Sequence, residues 1–160
     1  MSAELSSIID FIRYGASQFG RAGLTFGHSF DNALDESTQL VLHALHLSHD
    51  IGPAYGQAKL TSDEKQTVLA LIQRRVVERI PACYLTGNAW FAGLNFKSDE
   101  RALVPRSSIA ELIESGFEPW IGTLYVERAL DLCTGSGCIA IAMAHYNPDW
   151  LVDGADISDA

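Results

Sequence analysis

The chain has 160 residues, and its 11 Lys and Arg residues against 20 Asp and Glu residues give a formal net charge of −9. An apolar content of 48% with 19% charged residues is typical of a folded globular protein rather than of a disordered chain. Most of the negative charge lies in the second half, where eleven acidic side chains outnumber four basic ones. This charge argues against direct nucleic-acid binding and favours a basic protein partner.

The sequence also argues against a membrane or secreted protein. No run approaches the roughly 18 apolar residues of a membrane span, and the N-terminus lacks a basic region followed by an apolar core. We therefore predict a cytoplasmic protein with no membrane partner. The three cysteines, Cys83, Cys133 and Cys138, are an odd number without a Cys-x-x-Cys pair, which favours reduced, mostly buried thiols over a disulfide framework or a zinc site.

Two helices are predicted from apolar residues spaced by three and four positions. The stripe of the first helix consists of Leu5, Ile8, Ile9, Ile12, Ala16 and Phe19. We expect this helix to end in the glycine-containing stretch 20–23. The second helix is expected to span 32–47, with Asp31 as its cap and with Gly52 and Pro53 as its stop signal.

The third helix has the clearest start signal in the chain. Thr61 is followed three residues later by Glu64, which is the pattern of a capping box. Apolar residues then recur at helical spacing as far as Pro81, where we expect the helix to end. The three helices predict a bundle over residues 1–82.

After this bundle the pattern changes to that of an aromatic hairpin. The runs 90–91 and 94–97 flank the pair Ala92-Gly93, which is typical of a short turn between two strands. We therefore predict a hairpin linker over residues 83–106 and a further domain over 107–160.

The sequence of the last domain predicts one βαβ unit. Ser108 and Glu111 repeat the capping-box pattern and predict a short helix before this unit. The elements of the unit are a strand at 129–132, a glycine-rich turn at 133–137, an apolar helix at 138–145 and a strand at 150–155. Parallel strands need such a crossover, so the predicted fold class is α/β.

The strongest functional signal is the segment 131–138, DLCTGSGC, between a predicted strand and a predicted helix. Glycines let the backbone approach a ligand closely, and a helix N-terminus offers unpaired amides. Asp156 stands nineteen residues after Gly137, at the end of the next predicted strand, where a carboxylate can accept hydrogen bonds from ribose hydroxyls. This combination predicts a cofactor that contains a nucleoside.

The residues of this loop are compatible with two kinds of cofactor. Gly135, Gly137 and Ala140 also fit the fingerprint of dinucleotide-binding proteins, so an NAD-dependent oxidoreductase is an alternative. Asp131 argues against it, because a carboxylate repels a pyrophosphate and attracts the ammonium and sulfonium groups of S-adenosylmethionine. A non-catalytic protein-binding module is a third alternative.

Residues 131–142, DLCTGSGCIAIA, resemble the first motif of class I S-adenosylmethionine-dependent methyltransferases. In particular they resemble the HemK/PrmB-like protein-glutamine methyltransferases, which usually have glycine in place of Cys133. The segments 81–91 and 103–112 resemble the joint between domains in the branch that modifies a ribosomal protein. The release-factor branch more often reads PRPETE where this chain reads PRSSIAE, at 105–111.

The resemblance implies methylation of a glutamine side-chain amide in a large-subunit ribosomal protein, with S-adenosylmethionine as cofactor. The loop pattern and the resemblance together give cofactor-binding roles to Asp131, Cys133, Thr134, Gly135, Ser136, Gly137, Asp156 and Ile157. Arg106 and Glu111 are expected either to border the substrate amide or to pair and cap the short helix. The family's Asn-Pro-Pro-Tyr motif is absent, so no catalytic residue is predicted within this chain.

A class I methyltransferase fold needs more strands and helices than the sequence predicts before its end at Ala160. We therefore expect an N-terminal portion of such an enzyme, inactive by itself. Its helical bundle is expected to recognise the substrate protein. Leu132 and Val152 are expected to expose apolar surface, which self-association would cover.

Two further clusters of side chains could have either a functional role or a purely structural one. Three imidazoles recur every third residue on the second predicted helix, which would suit a metal, but no carboxylate or thiol stands at a matching step, so we predict no metal site. These residues are His43, His46 and His49.

Three aromatic residues of the predicted hairpin could stack on nucleic-acid bases, but the acidic charge of the chain favours a packing role. They are Trp90, Phe91 and Phe96.

Overall fold

The structure is a computed structural model that describes residues 5–27, 30–122 and 124–158. It divides into two compact units, Met1–Thr86 and Gly87–Ala160. The elements are α1 (Ile8–Arg21), α2 (Ala33–Ala44), a 3-10 helix (Pro53–Gln57), α3 (Ser62–Val77), α4 (Ala82–Thr86), β1 (Asn88–Phe91), β2 (Leu94–Lys97), α5 (Ile109–Glu114), β3 (Arg128–Leu132), α6 (Cys138–Tyr146) and β4 (Leu151–Ala155). Within the described ranges, every helix is too short or too polar to span a bilayer.

Helix α1 begins at a capping box that the sequence analysis missed. The Ser7 side chain accepts a hydrogen bond from the Asp10 amide, and the Asp10 carboxylate accepts one from the Ser7 amide at 2.9 Å. Hydrogen bonds from the amides of Ser7 and Ser6 to the Asp10 carboxylate lower the pKa of Asp10 to about 2. The buried face of the helix consists of Ile8, Phe11, Gly15 and Phe19. The predicted stripe is therefore wrong in part, since Ile9 is half exposed.

Helix α2 differs from its prediction at both ends. Its cap is Asn32 rather than Asp31, because the Asn32 side chain accepts hydrogen bonds from the amides of Leu34 and Asp35, each at 3.0 Å. The helix ends at Ala44, well before the expected stop signal.

The early end of α2 follows from a left-handed residue, His46, with a φ of 54°. The Leu47 amide donates to the Leu42 carbonyl at 2.9 Å and the His46 amide to the His43 carbonyl at 3.1 Å, which is the Schellman pattern of helix termination. His46 and His49 consequently lie beyond the helix, so the premise of three imidazoles on one helix is wrong. The described residues contain no group of His, Cys, Asp and Glu side chains arranged to hold a metal ion.

The capping box of α3 is confirmed. The Thr61 side chain accepts from the Glu64 amide, and the Glu64 carboxylate accepts from the Thr61 amide at 2.7 Å. The helix ends at Val77 rather than near Pro81, because Arg79 adopts a left-handed conformation with a φ of 57°.

The helices of the first unit pack around a close approach between α1 and α2. A Cβ atom at Gly15 would overlap the Ser37 hydroxyl oxygen, so only glycine fits there. The Ser37 hydroxyl donates to the Ile12 carbonyl at 2.7 Å, which satisfies this buried polar group. The largest fully buried apolar side chains of this core are Phe11, Phe19, Leu40, Leu42, Val41 and Val68.

A buried ion pair joins α2 to α3. The Arg75 Nε atom donates to Glu36 Oε1 at 2.6 Å, and both side chains are about 5% exposed. The Arg75 Nη2 atom also donates to the Thr25 carbonyl at 3.4 Å. Removing either charge alone would leave the other buried without its partner, so the two residues depend on each other.

In the second unit, β1 and β2 form the predicted antiparallel hairpin. Ala92 and Gly93 have φ values of 46° and 69°, the two left-handed positions of a type I′ turn. Phe91 and Phe96 are buried and meet edge to face at 6.5 Å, whereas Trp90 is half exposed. The three aromatics do not form one stacking platform, because two of them belong to the core.

The C-terminal end of α6 is hydrogen-bonded to this hairpin. The Tyr146 hydroxyl donates to the Ala92 carbonyl at 3.0 Å. The same core contains residues of the hairpin, of α5 and of α6, namely Phe91, Ala92, Phe96, Ile113, Cys138, Ala142 and Met143. The hairpin therefore belongs to the packed body of the second unit.

Strands β3 and β4 pair in parallel, as predicted, and α6 forms the crossover between them. Ala129 and Val152 are paired in the register, and both pack against the core that α6 covers. The expectation that Val152 is exposed is wrong for this reason. Leu132, on the opposite face, is 71% exposed, as expected.

The predicted capping box of α5 does not form. Ser108 has helical φ and ψ angles, and its side chain makes no capping hydrogen bond. Instead, the Ser107 hydroxyl oxygen accepts from the Ile109 amide at 3.3 Å. The same sequence pattern therefore caps α3 but not α5, because only Thr61 has the extended backbone that a capping residue needs.

This difference gives a first prediction, in which Thr61→Ala and Ser108→Ala are compared. Loss of the Thr61 cap should destabilise the start of α3 by about 1 kcal/mol, whereas Ser108→Ala should change α5 very little. Hydrogen–deuterium exchange of the α3 and α5 amides measures both effects. Equal acceleration of exchange in the two helices would contradict the assignment of the caps.

Candidate functional site

The loop between β3 and α6 contains three left-handed residues. Cys133, Gly135 and Gly137 have φ values of 64°, 54° and 76°. Glycine adopts this conformation without strain, but a residue with a Cβ atom does so at a cost. The exposed Cys133 therefore occupies a position whose backbone favours glycine.

Asp131, at the end of β3, fixes the shape of this loop. Its side chain is almost fully buried, and its Oδ2 atom accepts from the Thr134 hydroxyl at 2.5 Å and from the Ala140 amide at 3.1 Å. Ala140 is in the first turn of α6, and Gly137 provides no side-chain cap. The carboxylate of Asp131 therefore acts as the cap of α6 and satisfies one of its free amides.

Asp156, just after β4, closes the other side of the loop. Its Oδ2 atom accepts from the Gly135 amide at 2.8 Å, and its Oδ1 atom accepts from the Ser158 amide at 2.9 Å. The hydrogen bonds from Ser158 and Gly135 lower the pKa of Asp156 below its usual value. The carboxylate is thus charged at neutral pH, and each oxygen can accept a further hydrogen bond.

Thr134 connects the loop to β4. Its amide donates to the Ala155 carbonyl at 3.0 Å. A Cβ atom at Gly154 would lie 3.2 Å from the Thr134 hydroxyl oxygen, which is closer than ordinary van der Waals contact. Gly154 therefore provides the room that the Thr134 side chain takes as it turns toward Asp131.

A cavity of about 400 Å³ lies beside the loop. One part of its wall comes from Gly135, Ser136, Asp156 and Ser158, and another part from the segment 97–103, which begins at the last residue of β2. Its volume is within the range of small-molecule sites. Segment 97–103 could not be assigned to the site from the sequence, because no pattern in it indicates that it lies near the loop at 133–137.

The predicted site residues divide into two groups. Gly135, Ser136 and Asp156 line the cavity. Asp131, Thr134 and Gly137 shape the loop from within through their hydrogen bonds or backbone conformation. Cys133 and Ile157 are exposed next to these residues, and Ile157 is 100% exposed.

Arg106 and Glu111 are not among the residues that line this cavity. Glu111 is exposed in α5 and does not take part in a capping box, since no side-chain cap forms there. The prediction that they cap the short helix is therefore wrong. Their proximity to a substrate remains a prediction.

The two cysteines at the loop differ in burial, since Cys133 is exposed and Cys138 is buried. All three cysteines are thiols that form no disulfide bond, and Cys83 is also buried. Burial raises the pKa of the Cys138 thiol, so this side chain stays neutral at physiological pH.

The left-handed backbone at residue 133 gives a second prediction. Cys133→Gly should stabilise the protein by about 1 kcal/mol, because it relieves the strain and removes only an exposed side chain. Cys138→Gly is the matched control and should destabilise it by about 1 to 3 kcal/mol through a lost buried side chain and weaker helix propensity. Urea unfolding followed by circular dichroism measures both. A less stable Cys133→Gly variant would show that the thiol makes a contact worth more than the strain.

No protein-family model matches the chain. The chain is 77% identical, over 98% of its length, to a protein of Xanthomonas campestris pv. campestris named ribosomal protein uL3 glutamine methyltransferase, and covers 51% of that protein. It is 74% identical to the protein of the same name in Xylella fastidiosa and 53% identical to that in Neisseria gonorrhoeae, covering 50% and 52% of them. The chain spans about half the length of the curated relatives it matches. Over nearly all of its own length, it is homologous to the ribosomal protein uL3 glutamine methyltransferases.

Proposed function

We propose that the chain supplies the cofactor loop of a methyltransferase that acts on a glutamine side chain of ribosomal protein uL3. The observation that carries this proposal is the 77% identity, over 156 residues, to a protein named for that activity. The pair of parallel strands joined by α6 supports a Rossmann-like class I fold for this part of the enzyme.

The residues of the site fit S-adenosylmethionine, which would supply a methyl group bound to a positively charged sulfur. Asp156 has free acceptor capacity at the cavity wall and would bind the ribose hydroxyls. The backbone of Gly135 and Ser136 would approach the ligand without obstruction. Asp131 would add negative charge near the sulfonium, and the fully exposed Ile157 would offer apolar surface to the base.

The geometry argues against a dinucleotide cofactor. In the dinucleotide-binding fold the pyrophosphate binds at the N-terminus of the helix that follows the glycine loop. Here the Asp131 carboxylate already accepts a hydrogen bond from the Ala140 amide at that end of α6. A pyrophosphate would have to replace a buried carboxylate or lie against it, and both are costly.

The proposed reaction places a further demand on the enzyme. An amide nitrogen is a poor nucleophile because its lone pair is delocalised into the carbonyl group. The enzyme must therefore hold the amide hydrogens with acceptors and orient the lone pair. We assign no residue of this chain to that task.

We also propose that residues 1–82 contribute to recognition of the substrate protein, and that 107–160 form part of the methyltransferase domain together with the hairpin of 83–106, which packs in the same unit. The net charge of −9 would speed encounter with a basic ribosomal protein. Arg106 and Glu111 are proposed to lie near the substrate. We propose a cytoplasmic location, because ribosomal proteins are synthesised there.

The proposed activity is tested with the natural full-length protein, purified uL3 and radiolabelled S-adenosylmethionine. We expect label on the side-chain amide nitrogen of a glutamine, located by peptide mass spectrometry. Titration calorimetry with S-adenosylhomocysteine and with NAD gives a second readout. Tighter binding of NAD would favour the oxidoreductase, and binding of uL3 without binding of either cofactor would favour a protein-binding module.

The cofactor role of Asp156 gives a third prediction. Asp156→Ala should weaken binding of S-adenosylhomocysteine by about 1.5 to 3 kcal/mol, the range for lost hydrogen bonds to a charged acceptor. Asp153→Ala is the matched control, because Asp153 is an exposed carboxylate in β4 that pairs with Arg128 outside the cavity. An unchanged dissociation constant for Asp156→Ala in calorimetry would remove this residue from the binding site.

A further inference from the structure

The wall of the cavity carries balanced charge. The acidic side chains in its lining are Asp99 and Asp156, and the basic ones are Lys97 and Arg101. Lys97 is the last residue of β2 and Arg101 follows that strand, whereas Asp156 follows β4. A wall that carries charges of both signs suits a ligand that itself carries both signs.

Arg101 is the better fixed of the two cations. Its Nε atom donates to Asp99 Oδ1 at 2.9 Å, and its Nη2 atom donates to Asp99 Oδ2 at 2.7 Å. The Arg101 backbone amide also donates to Asp99 Oδ1, at 3.0 Å. This pairing lowers the pKa of Asp99 to about 2, so both partners stay charged at neutral pH. Asp99 thus holds the guanidinium group in one orientation.

The ion pair leaves much of the guanidinium group available. An arginine side chain has five N–H donors, and the bonds to Asp99 use one on Nε and one on Nη2. The Nη1 atom has no hydrogen-bond partner among the residues that the structure describes. A planar guanidinium group with free donors is the preferred partner of a carboxylate.

We propose that Arg101 binds the carboxylate group of the cofactor's amino-acid portion and thereby determines specificity for a ligand that carries that portion. This inference rests on the proposed function. S-adenosylmethionine has a ribose diol, which Asp156 suits, and an α-amino acid group, whose carboxylate needs a cation. Asp99 acts through Arg101 as a positioning residue.

The test separates the amino-acid portion of the ligand from its nucleoside. Binding of S-adenosylhomocysteine and of 5′-methylthioadenosine, which lacks the amino-acid group, is measured by calorimetry on the natural full-length protein. Arg101→Gln should raise the dissociation constant of S-adenosylhomocysteine about tenfold and change that of 5′-methylthioadenosine less than about twofold, since only the former loses a charge-assisted hydrogen bond. Arg101→Lys, which keeps the charge, should restore part of the affinity.

Arg128→Gln is the matched control. Arg128 is also an exposed arginine in an ion pair, with Asp153 at 2.6 Å, but it does not line the cavity. It should leave both dissociation constants unchanged. Equal weakening of both ligands by Arg101→Gln, or no weakening of either, would overturn the inference while leaving the proposed function intact. A wild-type protein that binds neither ligand would overturn both.

Discussion

The carboxylate of Asp131 joins the three elements on which the site depends. It is at the end of β3, accepts from Thr134 inside the loop and accepts from Ala140 in the first turn of α6. These hydrogen bonds hold the strand, the loop and the helix together around a loop in which Gly135 and Gly137 have left-handed backbones. Because this carboxylate is buried, its removal would leave two donors without a partner, which costs more than the loss of a surface hydrogen bond.

Features encoded by neighbouring residues could be predicted from the sequence. The strand–loop–helix order around Gly135, the hairpin turn at Ala92-Gly93 and the cap at Thr61 all depend on contacts within a few positions. The ends of α2 and α3 were predicted less well. There the chain turns through His46 and Arg79, residues whose side chains give no sign of a left-handed backbone.

Features formed between distant segments could not be predicted. The Glu36–Arg75 ion pair joins residues 39 positions apart, and each residue by itself looks like an ordinary surface charge on a helix. The close approach at Gly15 depends on the position of Ser37 in another helix. The cavity wall at 97–103 was missed for the same reason, because only the packing of the hairpin brings it beside the loop.

The hydrogen bond from Tyr146 to Ala92 joins the C-terminal end of α6 to the hairpin turn. The N-terminal end of the same helix is held by Asp131, so α6 connects the hairpin that leads into segment 97–103 with the glycine loop. Both parts of the cavity wall are therefore attached to elements that pack in one core. Segments attached to one core lose less conformational freedom when a ligand binds between them than independent loops would, which lowers the entropic cost of binding.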